Sequence, residues 1–278
     1  MPRHAAGGSV PADRIAPPHP RPRLPLQLVG LLGFVAVGLA LGLLGGGGSI
    51  LAVPVLVHLL GIAPGVAVPM SLPVVGITAA VGAFSRWRAG QLQLRTVAGF
   101  AAVAMTTSFL AARLGTRIAD TPRMILFAAT MLAAATAMWR RANRMGGGAQ
   151  PTTNTASAPL PRIVAAAAAV GTLTGLVGVG GGFLIVPALS GVLGLPMAAA
   201  TATSLAVIAL NTASAGAGWI GRVTLDLPLT IQVTVAALVG MVAGTRLAPH
   251  IAARTLTRAF AILLLLLATF LVASELRR

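Results

Sequence analysis

The sequence predicts an all-α membrane protein, a polytopic bundle of about eight transmembrane helices in two homologous four-helix repeats. The first helix of each repeat is broken by glycines. Three observations predict this. Of 278 residues, 56% are hydrophobic and only 9% charged, whereas soluble domains carry about 25% charged residues. Mean hydropathy is +0.92, so lipid must cover most of the surface. Apolar runs near the length of about 20 residues that a span requires recur along the chain, and one motif of the first half returns in the second.

Residues 1–23 are polar and rich in Pro and Arg, a composition that cannot bury a core. The apolar run from Leu24 to Leu44 is too long for the hydrophobic region of a signal peptide, so it reads as a retained first span. Further apolar segments fall near 66–84, 96–112, 124–139, 163–195, 199–220, 228–247 and 257–274. Residues 142–161, rich in Gly, Pro and Thr, read as a flexible linker. The expected organisation is a tail at 1–23, repeat 1 at 24–141, the linker at 142–161 and repeat 2 at 162–278.

The duplication rests on one offset. Gly42 to Leu56 reads GLLGGGGSILAVPVL and Gly175 to Leu189 reads GLVGVGGGFLIVPAL, 133 positions on. At that offset Gly61 meets Gly194, Ser71-Leu72 meets Ser204-Leu205, Arg113-Leu114 meets Arg246-Leu247 and Phe127 meets Phe260. Low-complexity Ala/Leu sequence does not align distant anchors at one spacing by chance.

The net charge is +16, and all 20 basic residues are arginine. They sit in short segments between apolar runs, as expected where loop charge sets membrane orientation, so nucleic acid is excluded as a partner. With four crossings per half, 14 arginines fall on the side of the termini and 6 on the other. That places both termini in the cytoplasm of a bacterial inner membrane, with the repeats parallel. If the glycine-interrupted runs fold back as hairpins, each half gains a crossing and the repeats become inverted. Both alternatives stand at this point.

Gly45–Gly48 and Gly180–Gly182 interrupt hydrophobic stretches of more than 30 residues. Glycine costs about 1 kcal/mol relative to alanine in a helix interior, so such runs are expected to unwind it. Unwound backbone in lipid survives only inside protein or against a water cavity. A helix resuming near Ser49 or Phe183 would offer backbone N–H groups and partial positive charge to an anion, and paired interruptions in two halves point to a transporter's binding site. The candidate substrate-binding residues are therefore Gly46, Gly47, Gly48 and Ser49 with Gly180, Gly181 and Gly182. Pro54 and Pro187 free further carbonyls just beyond. Ser71, Ser204 and Asn211 add neutral donors within spans. The competing reading is close helix packing for the glycines and interhelical hydrogen bonding for the polar side chains.

All four acids, Asp13, Asp120, Asp226 and Glu275, lie in tails or loops. No carboxylate sits in a span, so a carboxylate proton relay and a cationic substrate both lack their usual partner. Arg113 and Arg246 could guide an anion at a mouth or snorkel to the interface. His58 reads as a packed or cavity-facing residue. There is no cysteine, no histidine pair at ligand spacing and no nucleotide-binding loop, so no metal, no cofactor and no ATP drive is expected.

The doubled Gly-rich-to-Val-Pro string resembles the sulfite exporter TauE/SafE family of membrane permeases over about residues 28–274. The second half carries the likeness best, in Gly178-Val-Gly-Gly-Gly182, Val186-Pro187, Ala202-Thr203-Ser204-Leu205 and Gly221. The first half departs with Gly45–Gly48 before Ser49, and with Pro69 and Pro73 around Ser71; the two prolines predict an irregular second helix. The resemblance implies a carrier of sulfite, organosulfonates or related small anions. The expected function is a secondary anion carrier, not an enzyme, working by export or facilitated flux with no catalytic residues. Its partners are the small anionic substrate and the lipid bilayer, and a homo-oligomer stays open. The alternatives are a non-transporting assembly or accessory protein and, further off, an intramembrane hydrolase using Ser49 or Ser190 with His58.

Overall fold

A computed structural model of the chain describes residues 24–115, 120–144, 159–177, 182–217 and 225–276. Every element among them is helical. Five segments are long and apolar enough to cross a membrane: Gln27–Leu59, Val66–Arg88, Leu94–Ala111, Met197–Ala215 and Leu227–His250.

Helix α1 (Leu24–Leu44) is followed without a gap by a 3₁₀ segment (Gly45–Leu51), a short α2 (Ala52–Pro54) and a π turn (Val55–Leu59). The apolar stretch Gln27–Leu59 is nonetheless not one straight rod. A β-carbon on Gly48 would strike Leu41, one on Gly33 would lie 3.0 Å from Val55, and one on Gly30 would strike Leu60. Residues after Gly45 therefore run back along α1. Gly45 makes the reversal with φ +68°, a left-handed conformation glycine adopts without penalty. The glycine run does not unwind as expected from its propensity. It tightens into a 3₁₀ helix whose four glycines, Gly45–Gly48, are all buried, because neighbouring helices press on it from every side.

The second half holds α6 (Leu160–Val177), α7 (Gly182–Pro187) and another π turn (Ala188–Val192). Each π turn begins one residue after a proline, Pro54 or Pro187, and is followed two residues on by a left-handed glycine, Gly61 (φ +68°) or Gly194 (φ +71°). Proline removes one backbone donor, and the wider turn lets Leu60 N–H reach Val55 O and Leu193 N–H reach Ala188 O.

The remaining helices are α3 (Pro64–Arg88), α4 (Leu94–Gly115), α5 (Asp120–Arg144), α8 (Met197–Ala217), α9 (Leu227–Leu247) and α10 (Ala253–Leu276). Helix α3 continues through Pro69 and Pro73, so the irregularity expected there is absent. The hydroxyl of Ser71, between the two prolines, donates to the Val68 carbonyl at 2.7 Å within the same helix.

Helices α1 and α9 pack closely, as do α4 and α6, α3 and α8, and α5 and α10. Their directions are legible from contacts. Gly38 and Gly42 of α1 touch Ala237–Met241 and Met241–Thr245 of α9, a parallel pair. Gly99 and Gly171 likewise align α4 parallel to α6. In contrast, Gly76 faces Thr212 and Gly82 faces Leu205, so α3 and α8 are antiparallel. The C-terminal end of α5 meets the N-terminal end of α10, where Arg258 donates to Asn143 at 3.1 Å, so these are antiparallel too.

Two expectations change. Four crossings per half would make α3 parallel to α8 and antiparallel to α1. Instead α3 finishes beside the end of α1, where Arg86 donates to the Gly42 carbonyl. The folded-back alternative is the one the contacts follow. Ten arginines of the described residues then adjoin one end of the bundle, drawn from segments that the four-crossing count placed on opposite sides. The uneven tally that placed both termini in the cytoplasm depended on the other alternation, so loop charge no longer chooses the orientation.

Candidate functional site

The break after α1 lies where the two halves touch. In a continued helix, Gly46 N–H would donate to Gly42 O. The left-handed Gly45 separates them, and each freed group finds a side chain from another helix. Gly46 N–H donates to Ser204 Oγ of α8 at 3.3 Å. Gly42 O accepts from Arg86 Nη2 of α3 at 2.6 Å. Ser204 Oγ in turn donates to Thr201 O at 2.8 Å, and Ser49 Oγ donates to Gly46 O at 2.7 Å. Buried backbone groups need such partners, because leaving one unpaired costs about 1–3 kcal/mol.

The glycines allow this approach. A β-carbon on Gly46 would overlap the Gly182 carbonyl, one on Gly45 would lie 2.5 Å from Ser204 Oγ, and one on Gly182 would lie 2.6 Å from Ser49 Oγ. Gly47 packs on the Phe260 ring at 2.7 Å by the same measure, and Gly48 on α1. Four of the candidate residues, Gly46, Ser49, Gly182 and Ser204, therefore converge, with Gly47 and Gly48 in the same turn. In this conformation they make a closed contact, so close packing describes what is present. The free N–H groups expected near Ser49 lie earlier, at Gly46, and are capped.

The other candidates lie apart. Gly180 and Gly181 fall outside the described residues. Ser71 is buried and bonds only within its own helix. Asn211 sits seven residues along α8 from Ser204, and its Oδ1 is buried with no hydrogen-bond partner, as is Thr203 Oγ1. Pro54 and Pro187 open the π turns. Of the charges considered at the mouths, Arg246 is exposed, and the Arg113 side chain falls outside the described residues. His58 is exposed.

Arg86 escaped the sequence reading. It stands two residues from the end of α3 beside Trp87 and Arg88, a pattern that reads as an interfacial anchor. It is instead 6% exposed and turned inward. Its spacing of four from Gly82 was the available signal, since both lie on one face of α3 and Gly82 faces α8 and Met241 of α9.

A cavity of about 640 Å³ opens between α5, α6, α7 and the π turn that follows it. Ala134, Val170, Leu184 and Pro187 line its apolar part, and Arg140, Arg141 and Arg144 its basic end. Arg141 also donates to Leu195 O at 3.2 Å. This is the end where α3, α5 and α9 finish and α4, α6 and α10 begin. Among the described residues it carries ten arginines and no acid, because Asp120, Asp226 and Glu275 lie at the opposite helix ends. A basic surface without countercharge attracts anions and raises their local concentration.

The model for the family "Sulfite exporter TauE/SafE" matches residues 29–271. The chain belongs to the TauE/SafE family. It is 29% identical over 239 residues to a "Probable membrane transporter protein" of Xylella fastidiosa (strain 9a5c), covering 85% of this chain and 91% of that one. It is 30% identical over 245 residues to the "Probable membrane transporter protein YdhB" of Bacillus subtilis (strain 168), covering 85% and 98%. No solved structure matches it. This TauE/SafE protein is a multi-pass membrane transporter.

The Ser204 cap has a measurable weight. Ser204→Ala removes the acceptor of a buried N–H and should cost about 1–3 kcal/mol, seen as a lower thermal midpoint of the purified protein. Ser71→Ala, which removes only a bond within one helix turn, should shift the midpoint much less.

Proposed function

We propose that this transporter is a secondary carrier of small anions, of the sulfite, organosulfonate or related oxyanion class, working by export or facilitated flux. The observation that carries this reading is the basic end of the bundle, where Arg140, Arg141 and Arg144 line the cavity, Arg86 caps the break after α1, and no acid of the described residues lies. Such an end favours anions over cations by long-range attraction. An inside-negative potential supplies about 2.3 kcal/mol per charge per 100 mV for anion efflux, so export needs no coupling carboxylate.

The same reading takes 24–141 and 162–278 as two repeats. Its support is that an offset of 133 exchanges the α1–α9 pair with α6–α4 and maps α3–α8 and α5–α10 onto themselves. With α3 and α8 antiparallel, the repeats are inverted, an arrangement in which one half rocks against the other around a fixed site. The anion site is then the seam between the two glycine breaks. Gly46, Gly47, Gly48 and Ser49 come from one side and Gly182 from the other, with Ser204 beside them; Gly180 and Gly181 join the proposal by sequence alone, and Ser71 and Asn211 lie further along α3 and α8. Parting the Gly46–Gly182 contact would release the capped N–H for an oxyanion.

The test is flux in proteoliposomes, with sulfite, sulfate and a small organosulfonate under an imposed potential. Saturable flux that follows the potential and distinguishes these anions is expected. No flux above empty vesicles from verified folded protein would sink the reading for these anions and favour an accessory role in the membrane. Uptake that scales with an imposed proton gradient would overturn the uncoupled mechanism.

A further inference from the structure

We infer that Arg86 is the cationic member of the anion site, binding the transported oxyanion together with Gly46 N–H and the Ser204 hydroxyl. This rests on the anion-carrier reading above and adds a residue to it. An arginine near a span end ordinarily snorkels its head group to water. Arg86 does the reverse: it is 6% exposed and reaches across to α1. Its partners are neutral, the Gly42 carbonyl at 2.6 Å from Nη2 and Gln91 Oε1 at 3.1 Å from Nη1. Nε is buried with no partner at all. Among the described residues no acid pairs with it: Asp120, Asp226 and Glu275 lie at the opposite helix ends.

A buried cation without a counter-ion is costly, and inside a membrane protein such a residue marks a ligand pathway. The ligand that completes it is an anion. A guanidinium presents five donors in a planar fork that matches the paired oxygens of a sulfite, sulfonate or carboxylate group. The helix break puts suitable partners beside it. Gly42 O and Gly46 N are the two ends of the one helical bond that Gly45 prevents. Arg86 holds the first end and Ser204 the second. An oxyanion arriving between them exchanges the carbonyl for the ligand on Arg86 and the hydroxyl oxygen for the ligand on Gly46 N–H. Ser204 turns its own proton from Thr201 O to the anion. The site assembles from three helices as α1 parts from α3 and α8.

The experiment compares full-length wild type with R86K, R86Q and R88Q in proteoliposomes, measuring initial flux against sulfite and ethanesulfonate concentration. R86K keeps the charge and a donor for Gly42 O but loses the fork. It should raise the half-saturating concentration about tenfold with a smaller change in maximal rate, and R86Q should raise it about a hundredfold or abolish flux. R88Q removes one exposed charge of the basic end but not the inward-turned fork, and should change the half-saturating concentration by less than about twofold. If both Arg86 variants saturate within about twofold of wild type, whatever their yield, Arg86 only props the end of α1 and the inference fails. Inability of both variants to fold overturns it equally, because R86K preserves the charge and the structural bond. Absence of flux in wild type would instead defeat the anion-carrier reading itself.

Discussion

Gly46→Val should be among the most damaging single changes in this protein, abolishing transport and lowering the thermal midpoint by roughly 6–12 °C. The added β-carbon would overlap the Gly182 carbonyl, with Ile208 at 3.4 Å on another side. Overpacking a core usually costs about 1–3 kcal/mol because side chains can shift. Here the obstacle is backbone, so relief requires the two hairpins to separate, and about 3 kcal/mol or more is expected. Separation also strands Gly46 N–H away from Ser204, adding an unpaired donor. The control is Gly61→Ala. Gly61 is also left-handed, but a β-carbon there would meet nothing within 4 Å. That change should cost only the conformational term of about 1–2 kcal/mol and leave flux intact. Equal damage from both would mean that glycine is needed for chain flexibility rather than for the contact.

Gly240→Leu should prevent assembly of the bundle. Helices α1 and α9 run parallel, with Gly38 and Gly42 on one and Gly240 and Gly244 on the other, each pair spaced by four. This small-xxx-small spacing lets membrane helices approach until backbones touch. A β-carbon on Gly240 would strike the Val35 carbonyl, and one on Gly38 the Ala237 carbonyl. A leucine there must push the helices apart along their length. Without water between them, lipid offers no hydrophobic penalty for separation, so the pair comes undone. The yield of monodisperse protein after detergent extraction should fall by about tenfold or more, the factor that each 1.4 kcal/mol of lost association brings. Gly99→Ala, whose nearest contact would be an ordinary 3.5 Å from Ile163, should extract like wild type. A normal yield of folded Gly240→Leu would show that α1 and α9 do not pack as described.

The equivalent interface between α4 and α6 uses Gly171 against Thr107 and Ala104. At the repeat offset Gly171 corresponds to Gly38, and Thr107 and Ala111 to Gly240 and Gly244. The spacing of four between Gly38 and Gly42 and between Gly240 and Gly244 stands in the sequence but names no partner helix. Arg86 illustrates the converse. Beside Trp87 and Arg88 nothing in the sequence sets it apart, and only the free carbonyl of Gly42 on another helix explains why it turns inward.

By itself the sequence determined that the chain lives in lipid and that a Gly-rich and Val-Pro motif occurs twice. These follow from composition and local spacing, which a bilayer reads directly, since every apolar run of sufficient length is driven into it. The tertiary structure decided the direction of the chain after each break. Hydropathy records depth in the membrane and carries no sign for direction, so a glycine run reads alike whether the helix continues or reverses. The outcome depended on one left-handed φ at Gly45 and on contacts from α3 and α8 that cap the two groups freed there, across separations of 44 and 158 residues. From that reversal came the antiparallel pairing of α3 with α8 and the meeting of Gly46, Gly182, Ser204 and Arg86 around a single interrupted turn.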